Sequence, residues 1–309
     1  MLRRTLMAAS RSTGVRKAVE TVPASRRVVA RFIAGTRTED ALHAARHLMA
    51  EGFAVSLDRL GENTRDRAGA EAARTACTDL LRALARTGLA ARTEISVKLS
   101  ALGQLLPRDG QRTALDNARA VCEAARAAGT TVTLDMEDHT TTDSTLAVAR
   151  ALREDFPDLG VVLQSALLRT EGDCRDLAGP GSRVRLCKGA YDEPASVAHR
   201  TRREIDLAYV RCLGILMAGR GYPMVATHDP RLIRITKALA RGHGRAPGTY
   251  EHQMLYGIRP EEQLRLAAAG ETVRIYVPYG DDWYGYFMRR LAERPANLVF
   301  FLRALATRG

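Results

Sequence analysis

The sequence predicts an α/β fold, a (βα)8 TIM barrel, on three observations. Eight short strand-like runs alternate with helical segments over about 250 residues, the size of one such barrel. The chain has 309 residues and 46% hydrophobic content, enough for one large core. No G-x-G-x-x-G turn follows the first strand-like run, as a doubly wound nucleotide-binding sheet would require; Gly242, Gly244 and Gly248 have the wrong spacing and precede a strand.

Taken in order, residues 1–36 are Arg-rich, with Glu20 as the lone acid, and read as a basic helical arm whose apolar positions from Val19 to Phe32 could dock on the main domain. Residues 37–309 then form one barrel domain. A helix from Thr38 to Glu51 ends at Gly52. The strands are expected at Phe53–Leu57, Ile95–Leu99, Thr131–Met136, Val161–Gln164, Val184–Cys187, Met224–Thr227, Tyr250–Leu255 and Val273–Val277. The helices between them are expected at Thr64–Arg86, Gln111–Ala128, Ser144–Glu154, a short piece before Gly179, Ser196–Ala218, a helix entered through Asp229 and Pro230, and Pro260–Ala269. Pro278 and Gly280 should break the eighth strand, and Asp281 or Asp282 should cap a helix that Pro295 ends. A last helix spans Leu298–Thr307.

The net charge of +12 is carried almost wholly by arginine; Lys17, Lys98, Lys188 and Lys237 are the four lysines. A basic surface invites nucleic acid or an anionic membrane. The arginines are dispersed along helices with no zinc-finger or RNA-binding pattern, so nucleic acid is excluded as a partner, while contact with an anionic membrane surface stays open. No apolar run reaches the roughly 18–20 residues that span a bilayer. Cys77, Cys122, Cys174, Cys187 and Cys212 form no C-x-x-C pair and are odd in number, which fits a reduced, cytoplasmic setting.

Period-two alternation sorts each strand into two faces. Ser96, Lys98 and Ser100 share one face, as do Thr133, Asp135 and Glu137; Glu251, Gln253 and Leu255; and Arg274 and Tyr276. The opposite faces are apolar and should pack on the helices. A barrel interior is normally filled by branched apolar residues, so polar groups at the C-terminal strand ends mark a site. Lys98, Gln164, Arg185, Lys188, Thr227 and His228 fall at such ends. On the helix after the eighth strand, Tyr286, Arg289, Arg290 and Glu293 stand at i, i+3, i+4 and i+7, one face that can grip a small carboxylate. The competing reading of that face is a solvated, salt-bridged surface. Asp135, Glu137, Asp138 and His139 have ligand chemistry for a divalent ion, but alternation turns Asp135 and Asp138 apart and no second histidine cluster completes a shell, so no metal is expected. Lys188 could serve a Schiff-base lyase, and a non-catalytic barrel that binds an amino acid is a third reading.

RLCKGAYDEP from Arg185, ATHD from Ala226, YEHQMLYG from Tyr250 and YFMRRLAERPAN from Tyr286, with SVKLS from Ser96 and LDMED from Leu134, resemble the proline dehydrogenases. The resemblance covers roughly residues 50–305, matches the compact monofunctional form, and implies a distorted barrel with an N-terminal helical arm and a C-terminal helix that carries substrate-binding residues. It implies flavin-dependent oxidation of L-proline to Δ1-pyrroline-5-carboxylate, the first step of proline breakdown to glutamate. FAD is the implied cofactor. A membrane quinone is the implied electron acceptor, with the protein cytoplasmic and peripheral at the inner face of the membrane. A pyrroline-5-carboxylate dehydrogenase is an implied partner. Residue by residue, Arg289, Arg290 and Lys98 hold the carboxylate, with Glu293 pairing within the arginine face. Tyr276, Tyr286 and Leu255 wall the ring. Asp135 and Arg185 are the implied catalytic pair. Met136, Gln164, Arg185, Lys188, Gly189, Ala190, Thr227 and His228 contact FAD, and Tyr191 closes the site. One position departs from the pattern: His252 stands where the resemblance implies an aromatic in YEFQMLYG, on the face turned toward the helices.

Overall fold

A computed structural model describes residues 28–293, with side chains through Arg290. The arm expected over residues 1–36 lies outside the described residues up to position 27; the helix expected at Leu298–Thr307 and the side chain of Glu293 lie outside them too. The elements are α1 (Thr38–Ala50), β1 (Ala54–Arg59), α2 (Arg67–Thr87), β2 (Thr93–Lys98), α3 (Gly110–Ala128), β3 (Thr131–Asp135), α4 (Thr142–Arg153), β4 (Gly160–Gln164), α5 (Thr170–Asp176), β5 (Arg183–Cys187), α6 (Arg202–Ala218), β6 (Tyr222–Ala226), α7 (Pro230–Gly242), β7 (Glu251–Leu255), α8 (Pro260–Ala268), β8 (Val273–Tyr279) and α9 (Trp283–Glu293). All strand pairs are parallel and β8 pairs with β1, closing the barrel in sequence order.

The outward strand residues, among them Leu57, Ile95, Leu134, Val161, Leu186, Val225, Met254 and Ile275, form the core with the helices. The inward face is polar, as the alternation predicts. Toward the N-terminal end of the strands Glu94 accepts bonds from Arg183 at 2.7 Å and Arg185 at 2.8 Å, and Arg274 binds Glu251 at 2.7 Å. Burial alone would raise the Glu94 carboxyl; Arg274, Arg183 and Arg185 outweigh it and hold the group well below the usual carboxylate range.

Of the boundaries that differ from the sequence reading, three do so for physical reasons that bear on the site. β1 continues two residues past Leu57, which brings Asp58 into register with Ser96. β8 runs through Pro278 to Tyr279: a proline has no N–H to donate, but its carbonyl accepts from the Ala34 N–H at 3.0 Å, and the Tyr279 carbonyl accepts from Leu60 at 2.7 Å. α6 starts at Arg202 and not Ser196, because Thr201 and Glu204 form a capping box there, while Leu167 and Ala198 make a β-bridge in the preceding loop.

Residues 28–35 strap the barrel mouth. Val28, Phe32 and Ile33 are buried with Tyr284, Tyr286, Phe287 and Met288 of α9, and the Phe32 and Phe287 rings lie 6.3 Å apart. Gly35 accepts from the Gly280 N–H at 3.0 Å. Gly257 has φ +69°, and a Cβ there would sit 1.7 Å from the Arg31 carbonyl oxygen. That distance cannot exist, so Gly257→Ala must push the strap away as well as strain the left-handed backbone. Faster hydrogen exchange over residues 28–35 and a lower melting temperature are the expected result; protection equal to the parent would count against the strap.

His252 faces the helices, as the sequence predicts, and is 1% exposed. It packs edge-on against Tyr250, with rings 5.8 Å apart, and its Nε2 lies 3.5 Å from Glu271. Glu271 also receives Lys237 at 2.9 Å and the Tyr250 hydroxyl at 2.8 Å. His252 first, against the cost of burial, and then Lys237 and Tyr250 bring the Glu271 carboxyl from its ordinary 4.5 down to about 2. A depressed carboxyl stabilises the fold above its unfolded pKa, and that contribution is lost as pH falls through the folded one. The stability difference between the parent and Glu271→Gln should therefore be full above about pH 4.5 and shrink toward pH 2, as urea unfolding at each pH would show.

Candidate active site

The C-terminal strand ends gather a bonded set of charges. Lys98 donates to both carboxylate oxygens of Asp58 at 2.9 Å and lies 3.9 Å from Asp135. Asp135 accepts from Arg185 at 2.7 Å, from the Ser96 hydroxyl at 2.8 Å and from the Tyr276 hydroxyl at 2.8 Å. Arg185 also reaches Glu94 at 2.8 Å, Ser56 at 3.2 Å and the Gln253 amide oxygen at 2.5 Å, and its guanidinium lies 5.3 Å from the Tyr276 ring centre. Five strands thus share one guanidinium. Burial would lower the Lys98 ammonium, but Asp58 and Asp135 raise it above the ordinary lysine value. Burial and then the Asp135 and Asp58 charges push the Tyr276 phenol well up, so it stays a donor.

α9 lays its basic face beside this set. Arg289 donates to Glu62 in the loop after β1 at 3.1 Å, and the Arg290 guanidinium stands 5.0 Å from the Tyr286 ring centre. Tyr286 is buried, with Leu255 packed against the same cluster. Burial would lower Arg289, and Glu62 raises it. A cavity of about 190 Å³ runs between the ends of β1 and β2 and the helix α2, lined by Arg59, Glu62, Ala73, Cys77, Lys98 and Asp282 among others.

The remaining expected residues, Met136 apart, rim the mouth. The Gln164 amide donates to the Glu137 carbonyl at 2.7 Å, and Glu137 accepts from the Ser100 hydroxyl at 2.7 Å. Burial first, opposed by Ser100 and Lys98, raises the Glu137 carboxyl. Lys188 binds Asp206 at 2.5 Å with Asp229 at 3.6 Å. Gly189 has φ +105°, and a Cβ there would come 3.1 Å from the Gln164 amide oxygen, so glycine keeps that wall open. His228 Nε2 accepts from the Leu255 N–H at 2.9 Å. Thr227 accepts from the Asp229 N–H at 3.1 Å. Met136 is buried in the main core cluster and Ala190 is half-buried at the rim.

Sequence reasoning missed Asp58, Glu62 and Glu94. Asp58 had a signal: it continues the polar alternation of Ser56 one residue beyond the expected strand end at Leu57. Glu62 lies in a loop, where periodicity carries nothing.

The proline dehydrogenase family model matches residues 41–303. The chain is 40% identical over 277 residues to proline dehydrogenase of Deinococcus radiodurans, covering 89% of each. It is 38% identical over 275 residues to proline dehydrogenase 1 of Bacillus subtilis (strain 168), again 89% of each. A crystal structure of proline utilization A from Bdellovibrio bacteriovorus superposes with a TM-score of 0.80 at 23% identity; the match spans 87% of this chain and about a third (33%) of that one, and it is a likeness of fold.

Proposed function

The chain belongs to the proline dehydrogenase family and acts on proline as an oxidoreductase; on that premise we propose that it oxidises L-proline at C5 with FAD as cofactor. The observation that carries this reading is the pairing of a forked basic helix face, Arg289 and Arg290, with the Lys98–Asp135–Arg185–Tyr276 set at the strand ends.

Arg289 and Arg290 take the proline carboxylate, Lys98 adds a third positive charge, and Leu255, Tyr276 and Tyr286 wall the ring. These cations favour the neutral amine, whose lone pair must be available when hydride leaves C5. Asp135 keeps Arg185, Lys98 and the Tyr276 hydroxyl in place and offsets their mutual repulsion. The mouth fits a flavin: Gly189 leaves a cradle that a Cβ would fill, and the Gln164 amide oxygen lines it as an acceptor. Met136, Gln164, Arg185, Lys188, Gly189, Ala190, Thr227 and His228 would hold it. FAD, when bound, supplies the hydride acceptor, and the electrons pass on to a membrane quinone. The product, Δ1-pyrroline-5-carboxylate, would go to a pyrroline-5-carboxylate dehydrogenase on the way to glutamate. Among the described residues no helix is long and apolar enough to cross a membrane; in this reading the quinone is met at the membrane periphery, from the cytoplasmic side. The lyase alternative is disfavoured by Lys188 itself: two carboxylates flank its ammonium, the reverse of the desolvated or cation-flanked setting that makes a lysine nucleophilic.

The test is the visible spectrum of the purified protein before and after anaerobic L-proline. Flavin bands that bleach with proline are expected. A protein that stays colourless with added FAD would overturn the cofactor, and bands that persist with proline would overturn the substrate.

A further inference from the structure

The β5–α6 loop carries Lys188, Gly189, Ala190 and Tyr191 along the rim, and its midpoint is fastened to the opposite lip. His139 opens the short helical turn after β3, directly beyond Asp135, Met136 and Glu137. Its Nδ1 lies 2.5 Å from one carboxylate oxygen of Glu193, and its backbone N–H donates to the other at 3.1 Å. Glu193 is buried although it is a carboxylate in a surface loop, and its own carbonyl accepts from Arg200 at 3.1 Å. A buried carboxylate needs such partners to be tolerated there. The backbone ladder holds the loop at its ends: Lys188 accepts from Ala166, Val197 accepts from Leu168, and His199 donates to Ala166. Between those ends the chain turns sharply at Gly189, φ +105°.

We propose that His139 and Glu193 form a staple that holds the β5–α6 loop, and with it Tyr191, over the substrate end of the site; both are positioning residues. The inference rests on the reading of the site as a proline site. Tyr191 is the point of the loop that matters. It sits two residues before Glu193, between the bonds to His139 and the left-handed turn at Gly189, and is half-buried. A loop held there covers a ligand bound to Arg289 and Arg290. A loop released from His139 samples uncovered states. The apparent dissociation constant then rises in inverse proportion to the covered fraction, while the chemistry after covering is unchanged.

Staple loss should thus appear in KM and not in kcat. Glu193→Ala removes both bonds and should raise the KM for L-proline about tenfold with kcat within about threefold of the parent. Glu193→Gln keeps the shape, an acceptor for the His139 N–H and a donor for the imidazole, and should stay within about threefold of the parent in KM. The same ranking should hold for binding of cyclopentanecarboxylate, which has the ring and carboxylate but no amine to oxidise. Hydrogen exchange over residues 188–198 without any ligand gives a readout independent of catalysis: faster in Glu193→Ala, near parental in Glu193→Gln. Should Glu193→Ala not fold, His139→Ala, which loses the imidazole bond and keeps the backbone one, should show the same exchange change at smaller size. Unchanged exchange, or a fall in kcat at constant KM, would overturn the staple. Failure of the parent protein to bleach with proline would instead overturn the reading of the site, leaving the exchange result standing.

Discussion

Arg289→Met should raise the KM for L-proline by about 10²–10³, because charge-assisted bonds from a guanidinium fork to a carboxylate contribute roughly 1.5–3 kcal/mol each and Lys98 and Arg290 replace only part of them. The change also strips Glu62 of the partner it holds at 3.1 Å. The carboxylate left behind repels the incoming anion, so the loss exceeds the missing bonds alone. Arg289→Lys should fall between, since an ammonium restores charge but not the fork. Steady-state kinetics with flavin content measured in parallel would check this; a KM within threefold of the parent would remove Arg289 from the carboxylate grip.

The second large effect is expected at Asp135. Asp135→Ala deletes the acceptor shared by Arg185, Ser96 and Tyr276, all three buried or partly so. Arg185 keeps Glu94, but the Lys98–Arg185 side of the mouth loses one of its negative charges. Breaking a buried pair by removing one partner costs about 3–5 kcal/mol, so urea unfolding should move by about that amount and the purified variant should retain less flavin. Asp135→Asn keeps the volume and one acceptor and should lose less stability, yet it places an amide N–H₂ against donors and should still depress activity. A variant with parental stability and full flavin would mean that Asp135 does not organise the mouth.

The fold was legible because barrel strands obey two periods at once: an apolar outward face and a spacing that leaves room for each helix. The same alternation identified Lys98, Asp135, Arg185, Gln253 and Tyr276 as inward residues, and they do meet. What alternation cannot give is pairing across the barrel. Lys98 reads from sequence as a cation for the substrate carboxylate oriented by Asp135, and it stands doubly bonded to Asp58. Glu62 meets Arg289 across 227 positions of chain. Such contacts depend on loop conformation and barrel closure, which single-chain periodicity does not encode. The proline at 278 misled for a related reason: its rule concerns the missing N–H, and here the C-terminal end of β8 uses the carbonyl, which accepts from the Ala34 N–H.

The strap over α9 has a consequence for how the protein is made. Phe32 leaves the ribosome early and Phe287 near the end of the described chain, so at roughly 5–20 residues per second the two rings are separated by roughly 10–50 s of synthesis. Through that interval the strap is greasy and uncovered, β1 has no β8 beside it, and the arginine fork does not yet exist. The nascent barrel is therefore an open sheet with two unpaired edges until its last strand arrives, and the window in which a chaperone is useful closes at the same moment the substrate site opens.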